Sequence, residues 1–181
     1  MNQAADGLIR CHWCSQDPVY IDYHDQEWGR EVTGNDQLFE KISLEGFQAG
    51  LSWLTILKRR ENFRESFEGF QIKKVAQFSD SLVDQLMQNS GIIRNRKKIE
   101  SVINNARVIR DSGIDLSEMI WSYKPEADPD DHTRTTSSES IALSKKLKSM
   151  AFSFVGPTTM YAMMQSIGMV NDHDPNCFLK N

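Results

Sequence analysis

Cysteine is scarce in this chain, three residues in 181, and the odd number makes a disulfide framework a poor reading. No run approaches the roughly 18 consecutive apolar residues of a membrane span, and the opening MNQAADGLIR lacks the apolar core of a secretion signal. A cytoplasmic protein with no membrane partner is therefore expected, and nothing in the pattern asks for more than a monomer. Excess positive charge is lacking too. A formal net charge of -4 ordinarily argues against a nucleic-acid partner, because nonspecific duplex affinity comes from phosphate neutralisation by Lys and Arg. The basic residues are clustered, however, as Lys58-Arg59-Arg60, Arg94-Asn95-Arg96-Lys97-Lys98 and Lys145-Lys146-Lys148, so the overall balance does not decide the matter. Internal repeats and low-complexity tails are missing as well. With 39% hydrophobic residues the chain can bury one core or two small lobes, which makes a single domain over residues 11–181 the expectation.

What is present is helical spacing nearly everywhere, so the fold class is all-α. Ile99, Val102, Ile103, Ala106 and Ile109 share one face at i, i+3, i+4, i+7, with Arg107 and Arg110 pointing elsewhere. Leu82, Leu86 and Met87 repeat the pattern earlier, and Ile141, Leu143, Leu147 and Met150 do so more loosely later. Two of the five prolines, Pro125 and Pro129, fall with acids, serines and threonines between Lys124 and Ser140, which reads as an exposed loop. Between two helices lies Ser90-Gly91-Ile92-Ile93-Arg94-Asn95-Arg96. A glycine ending one helix and a short apolar turn starting the next describe a helix-hairpin-helix near residues 90–97. Such a hairpin offers backbone N–H groups to a phosphate, with basic side chains directly after it. The alternative is an ordinary helical hairpin capped by Gly91, with a solvated basic face.

The densest chemistry runs from Cys11 to Gly29, CHWCSQDPVYIDYHDQEWG, and is answered at the far end by NDHDPNC with His173 and Cys177. Thiolates and imidazoles at both ends suggest one metal clamping the termini. Spacing favours Cys11 and Cys14 joined by His173 and Cys177, while the other set is Cys11, His24, His173 and Cys177 with Cys14 a buried thiol. Either fills four tetrahedral positions, so the metal would be structural. His12 and His132 fit no pattern and read as surface residues. In Leu44-Glu45-Gly46-Phe47-Gln48-Ala49-Gly50-Leu51-Ser52-Trp53 a carboxylate sits among apolar and small residues, where burial is costly unless something satisfies it, so Glu45 is a site candidate.

Taken in order, these residues resemble bacterial DNA-3-methyladenine glycosylase I. The resemblance is carried by Cys11-x-Trp13, Asp17-Pro18-x-Tyr20-x-x-Tyr23-His24-Asp25-x-Glu27-Trp28-Gly29, Leu44-Glu45-x-x-Gln48-Ala49-Gly50-Leu51-Ser52-Trp53, Gly91-Ile92-Ile93-Arg94, Phe154-Val155-Gly156 and Val170-Asn171-Asp172-His173-x-x-x-Cys177. It implies the helix-hairpin-helix glycosylase fold, with a structural Zn2+ held by Cys11, His24, His173 and Cys177 rather than by Cys14. It further implies a base pocket of Glu45, Tyr20, Tyr23 and Trp53, with Trp13 and Trp28. DNA contacts would come from Leu51 as a wedge and from Gly91, Ile93, Arg94 and Arg96 in the hairpin. Two departures stand out: the tail stops soon after Cys177, and residues 1–10 form an extension expected to be disordered.

The activity so implied is hydrolytic excision of 3-methyladenine from double-stranded DNA containing alkylated adenine, giving the free base and an abasic site. Alkylation at N3 makes the base cationic and weakens its glycosidic bond, so recognition matters more than acid catalysis. Asp111 reads as a surface or capping residue, and no lyase activity is expected. Two competing readings remain at the level of sequence: a non-enzymatic DNA-binding module whose aromatics are core, and a zinc hydrolase with fewer than four protein ligands.

Overall fold

The computed structural model describes residues 2–3, 6–128 and 133–180, and ten helices account for most of them. In order they are α1 (Pro18–Gln26), α2 (Asn35–Gln48), α3 (Trp53–Leu57), α4 (Arg60–Ser66), α5 (Ile72–Val75), α6 (Asp80–Leu86), α7 (Arg96–Ser112), α8 (Leu116–Trp121), α9 (Ser138–Ser149) and α10 (Pro157–Ser166). No helix among them is long and apolar enough to cross a membrane. Local chemistry sets many of the boundaries. Asp17, Ser52, Ser79, Asn95 and Asp115 each turn a side-chain oxygen onto a backbone N–H of the first turn that follows. Pro18 and Pro157 open α1 and α10, where a missing N–H costs nothing. Gly113, at φ +65°, ends α7 in the left-handed conformation.

The amphipathic face of α7 is as the spacing predicts, with Ile99, Val102, Ile103, Ala106 and Ile109 all buried. Arg107 and Arg110 leave that face and donate to the carbonyls of Ala76 and Phe78. In α9 only Leu143 and Leu147 of the expected stripe are fully buried, and Ile141 is exposed. Ser138–Ser140, placed in the loop by composition, form the first turn of α9. A reciprocal pair of hydrogen bonds between Ser137 and Ser140 closes that turn.

The helix that organises the molecule is α2. Every residue from Leu38 to Phe47 is buried, because α10, α7, α8, α5 and α3 pack around it. A helix buried on all sides must satisfy whatever polar groups it carries. Glu40 and Lys41 are answered by a network: Lys41 reaches Glu27 at 2.5 Å, Arg60 bridges Glu27 and Glu40 at 2.5 and 2.6 Å, and Arg64 joins Glu40 at 3.0 Å. Burial alone would raise Glu27, but Arg60 and Lys41 hold it down at about 2. At the C-terminal end of α2, the buried Lys98 donates to the carbonyls of Phe47 and Ala49 at 2.8 and 2.6 Å. That cation completes two helix-end acceptors and ties α7 to the segment that follows Glu45.

Two expectations change here. Gly91 does not end α6, which stops near Met87; it lies in the connecting turn without a positive φ. Its glycine character serves a close approach instead, since a Cβ there would stand 3.0 Å from Asn62 Cγ. Its N–H donates to Asn89 Oδ1, while Asn89 Nδ2 donates to Ser66 Oγ, so the hairpin is moored to α4. The stretch expected to be a disordered extension also carries structure. Asn2–Gln3 pair antiparallel with Ile9–Arg10, and the buried Arg10 guanidinium bridges Asp25 at 2.6 Å and Asp6 at 2.8 Å. A guanidinium can be buried there because two carboxylates neutralise it, a pairing invisible in a ten-residue composition.

Candidate active site

A cavity of about 200 Å³ opens between α1, α2, α3, α10 and the C-terminal segment. It lies below the roughly 300–1,000 Å³ of pockets for drug-sized ligands, and suits a single heterocycle. All six residues expected in a base pocket line it: Trp13, Tyr20, Tyr23, Trp28, Glu45 and Trp53. The rings brace one another, tilted with centroids 5.3 Å apart for Trp13 and Tyr20 and 5.6 Å for Tyr23 and Trp53, and edge-on at 5.0 Å for Trp13 and Trp28. Burial raises both tyrosine hydroxyls above their ordinary range, so the walls are neutral aromatic surface.

Glu45 is the exception to the neutralisation that α2 otherwise achieves. It is 4% exposed and makes no hydrogen bond or ion pair with any described residue. Burial pushes its carboxyl up to about 8, against the weaker pull of Lys41 one turn earlier. An unsatisfied acid in an aromatic cage is an arrangement that a flat cation would complete, by charge on one side and by ring faces on the others.

Behind this cage lies the second constellation. One ligand atom each from the buried Cys11, His24, His173 and Cys177 gathers so that all four lie within 4.8 Å of one another. Cys11 Sγ and His173 Nδ1 are 3.4 Å apart, Cys177 Sγ and His24 Nε2 3.4 Å, and Cys177 Sγ and His173 Nδ1 3.5 Å. Sulfur and nitrogen ligands at roughly 2.0–2.3 Å across tetrahedral angles stand roughly 3.3–3.8 Å apart, so the set fits a zinc-sized ion. His24 Nδ1 faces Asp25 Oδ1 at 2.8 Å, leaving Nε2 for the cluster. Burial, and then the neighbouring His24, keep His173 low at about 4, in the neutral form that coordinates metals. Burial, with Cys177 and Asp174 close by, pushes the Cys11 thiol up, so a thiolate there needs a cation beside it. Cys14 does not join the four: its buried Sγ contacts the carbonyls of Ser15 and Tyr20 at 3.7 Å, and burial raises its thiol to about 11. The histidines of the cluster support the cage directly, with Trp28 edge-on to His173 at 4.6 Å and Trp13 at 5.2 Å from His24.

The residues expected to meet DNA lie outside the cavity. Leu51 is 38% exposed in the turn between α2 and α3, not in the core. Arg94 and Lys97 are exposed at the start of α7 and form no ion pair among the described residues. Arg96 differs, being paired with Asp84 and Glu100. Ile93 is half-buried against the core. Lys58 and Arg60 of the first basic cluster are engaged by Asp17 and by the Glu27–Glu40 network. Asp111 is exposed and paired with Arg110 at 2.7 Å.

Sequence reading missed several lining residues: Gln48, Ala162, Gln165, Asp172 and Asp174. Asp172, buried, accepts from Tyr161 Oη at 3.2 Å and from Gln165 Nε2 at 2.5 Å. Its place inside the Asn171-Asp172-His173 motif was the available signal. His12, taken for a plain surface residue, is exposed yet lines the cavity mouth, with its backbone N–H donating to Asp174 at 2.6 Å. His132 lies outside the described residues.

With this geometry in hand, comparison with known proteins is specific. A protein from Haemophilus influenzae named DNA-3-methyladenine glycosylase is 48% identical over 177 residues, covering 93% of this chain and 96% of its own. The Escherichia coli DNA-3-methyladenine glycosylase 1 is 47% identical over 179 residues, covering 94% and 96%. A crystal structure of 3-methyladenine DNA glycosylase I superposes with a TM-score of 0.88 at 45% identity, covering 94% of this chain and 99% of that one. A tyrosine-to-phenylalanine variant of such an enzyme, in complex with 3-methyladenine, superposes at 0.84 with 35% identity over 95% and 97%. The profile of the methyladenine glycosylase family matches residues 13–180. Sequence, fold and cavity agree, and the chain belongs to the methyladenine glycosylase family.

Proposed function

We propose that this protein is a cytoplasmic base-excision repair glycosylase that removes 3-methyladenine from duplex DNA by hydrolysis, leaving an abasic site. The observation that carries the reading is Glu45, a buried carboxyl without a partner inside a cage of Trp13, Tyr20, Tyr23, Trp28 and Trp53. The target base leaves the stack at a cost of a few kcal/mol, least for a damaged base, and enters the cage. Ring faces contribute about 0.5–2 kcal/mol each toward a cation. Beside the cation Glu45 gives up its proton to solvent and accepts a hydrogen bond from the exocyclic amine; adenine carries that amine too, so the positive charge, which an ordinary neutral base lacks, is what the carboxylate selects. As the glycosidic bond breaks, its electrons return to the ring and neutralise it, while water adds at the sugar C1′ and gives up a proton. Recognition of the charged base therefore supplies discrimination, and the weakened bond supplies the rate.

A monofunctional enzyme without a lyase step is part of this proposal: Lys41, whose Nζ stands 5.5 Å from the Tyr23 ring centroid, is engaged by Glu27. Of the hairpin residues expected to meet DNA, Arg94 would contact phosphate at the start of α7, joined by the neighbouring Lys97 in place of the ion-paired Arg96, and Leu51 would be the wedge entering the space that the base vacates. Cys11, His24, His173 and Cys177 would hold a Zn2+, whose contribution when bound is to join the two ends of the chain. Four protein ligands leave it no open coordination position, and that disfavours a zinc hydrolase. Binding of free 3-methyladenine tests the cage. Trp53→Ala is expected to weaken it at least about tenfold at unchanged folding, in line with about 1–3 kcal/mol for stacking on an aromatic side chain. Equal affinity of the variant would move the base elsewhere.

A further inference from the structure

Among the described residues, four other than glycine adopt the left-handed backbone region: Glu68, Phe70, Ala151 and Phe154. Three of them have local reasons. Glu68 and Phe70 flank Gly69 in a tight 3-10 turn that delivers the Phe70 ring to the core at 0% exposure. Ala151 terminates α9, where Phe152 N–H donates to Leu147 O at 3.0 Å and Ala151 N–H to Lys148 O at 2.9 Å, the hydrogen bonds of a left-handed helix end. Phe154, at φ +57°, ends no helix, and its ring is not buried, the residue being 38% exposed. Such a conformation persists only where the surroundings over-determine it.

The surroundings do so thoroughly. Asn105 grips Ser153 by both groups, accepting from its N–H at 2.9 Å and donating to its carbonyl at 3.1 Å. Asn104 donates to Ala151 O at 2.8 Å, and Ser144 Oγ to Val155 O at 2.6 Å. The turn is thus held by α7, the helix that follows the hairpin, and by α9. It rests against α2 where Gly46, the residue after Glu45, lets it come close: a Cβ on Gly46 would stand 3.2 Å from Phe154 Cβ. Lys98, lower on α7, holds the carbonyls of Phe47 and Ala49, just before Leu51. One helix therefore fixes the turns of both Leu51 and Phe154, two exposed apolar side chains beside the C-terminal end of α2. The exposed Lys145, Lys146 and Lys148, which form no ion pair among the described residues, lie on α9 directly before the turn.

We infer that Phe154 is a second DNA-contacting wedge, which packs its ring against the base or sugar next to the extruded nucleotide. The inference rests on the proposed glycosylase function. Its chemistry needs an apolar or aromatic group, held rigidly, on a basic approach to the duplex; stacking on such a group tolerates any neighbouring sequence.

Phe154→Gly removes the ring at a position whose backbone glycine adopts without strain, so folding is spared. Duplex affinity is read by fluorescence anisotropy on a DNA containing a stable abasic-site analogue, alongside free 3-methyladenine binding and Tm. The wedge is supported if duplex affinity falls roughly tenfold, the loss of one stacked contact, with free-base binding and Tm within error of wild type. Unchanged duplex affinity overturns it, and so does a parallel loss of free-base binding, which would make Phe154 part of the cage. Wild-type release of 3-methyladenine from alkylated duplex is followed separately. Its absence would overturn the glycosylase reading, while the affinity difference would still decide the DNA contact.

Discussion

Glu45→Gln is expected to make the protein more stable while removing most of its activity. The carboxyl has an ordinary value of 4.5 in the unfolded chain and stands at about 8 in the folded one, raised by burial. The sign follows directly. Below pH 4.5 both states hold the proton and the group costs nothing. Between 4.5 and about 8 the unfolded chain sheds the proton first, so folding becomes steadily less favourable, and above 8 the full cost remains. At pH 7 that cost is about 3 kcal/mol. A neutral glutamine removes it, minus the smaller cost of burying an amide. The Tm advantage of Glu45→Gln should be close to nil at pH 4.5 and reach several degrees by pH 8, on the order of 2–4 °C per kcal/mol. Over the same range the variant should release 3-methyladenine at least about 100-fold more slowly, a loss of about 3 kcal/mol in transition-state stabilisation. A pH-independent Tm difference would mean that burial does not hold the Glu45 proton, and full activity in the variant would remove Glu45 from the reaction.

Loss of the clamp is the second large effect. The cluster joins Cys11 and His24 to His173 and Cys177, so it closes nearly the whole chain into one loop. Structural zinc sites contribute about 10–16 kcal/mol of apparent binding energy in small peptides, and part of that is folding energy here. Stripping the metal under denaturing conditions and refolding in chelator should lower Tm by more than about 10 °C, with recovery on adding zinc. Mass spectrometry of the native protein should report one zinc per chain. The cage should loosen in step, because Trp13 and Trp28 lean on His24 and His173. Free-base affinity is therefore expected to fall even where the chain remains folded. Cys14→Ala, in contrast, should keep zinc and most stability, since its thiol stands apart from the four.

Much of this site was readable before the fold was known, for identifiable reasons. Cysteines and histidines gathered at the two ends of the chain have few roles besides ligation, and Glu45 stands alone among apolar and small residues. Spacing on its own preferred Cys14 to His24, because the C-x-x-C pattern is local whereas the true neighbours of His24 come from the other end of the chain. The helical periodicity of α7 was legible since one face meets the core and the other meets solvent. For α2 the same reasoning could not work. That helix is buried all round, so its polar residues follow no stripe, and the Glu27–Lys41–Arg60–Glu40 network exists only once Glu27, just after α1, and Arg60 of α4 reach its side chains. Gly91 shows the same limit. Its position suggested a helix cap, but the contact that requires glycine is with Asn62 on α4. The left-handed backbone of Phe154 leaves no trace in composition at all, since it is imposed by Asn105 and Ser144 from two other helices.

The most direct test of the central claim is the time course of free base released from duplex DNA alkylated with a methylating agent, resolved by chromatography. Wild-type protein is expected to release 3-methyladenine and leave abasic sites without strand cleavage, with Glu45→Gln slowed by at least about two orders of magnitude. Folded, zinc-loaded wild-type protein that binds the duplex and releases no base would contradict the account and leave a DNA-binding module in its place.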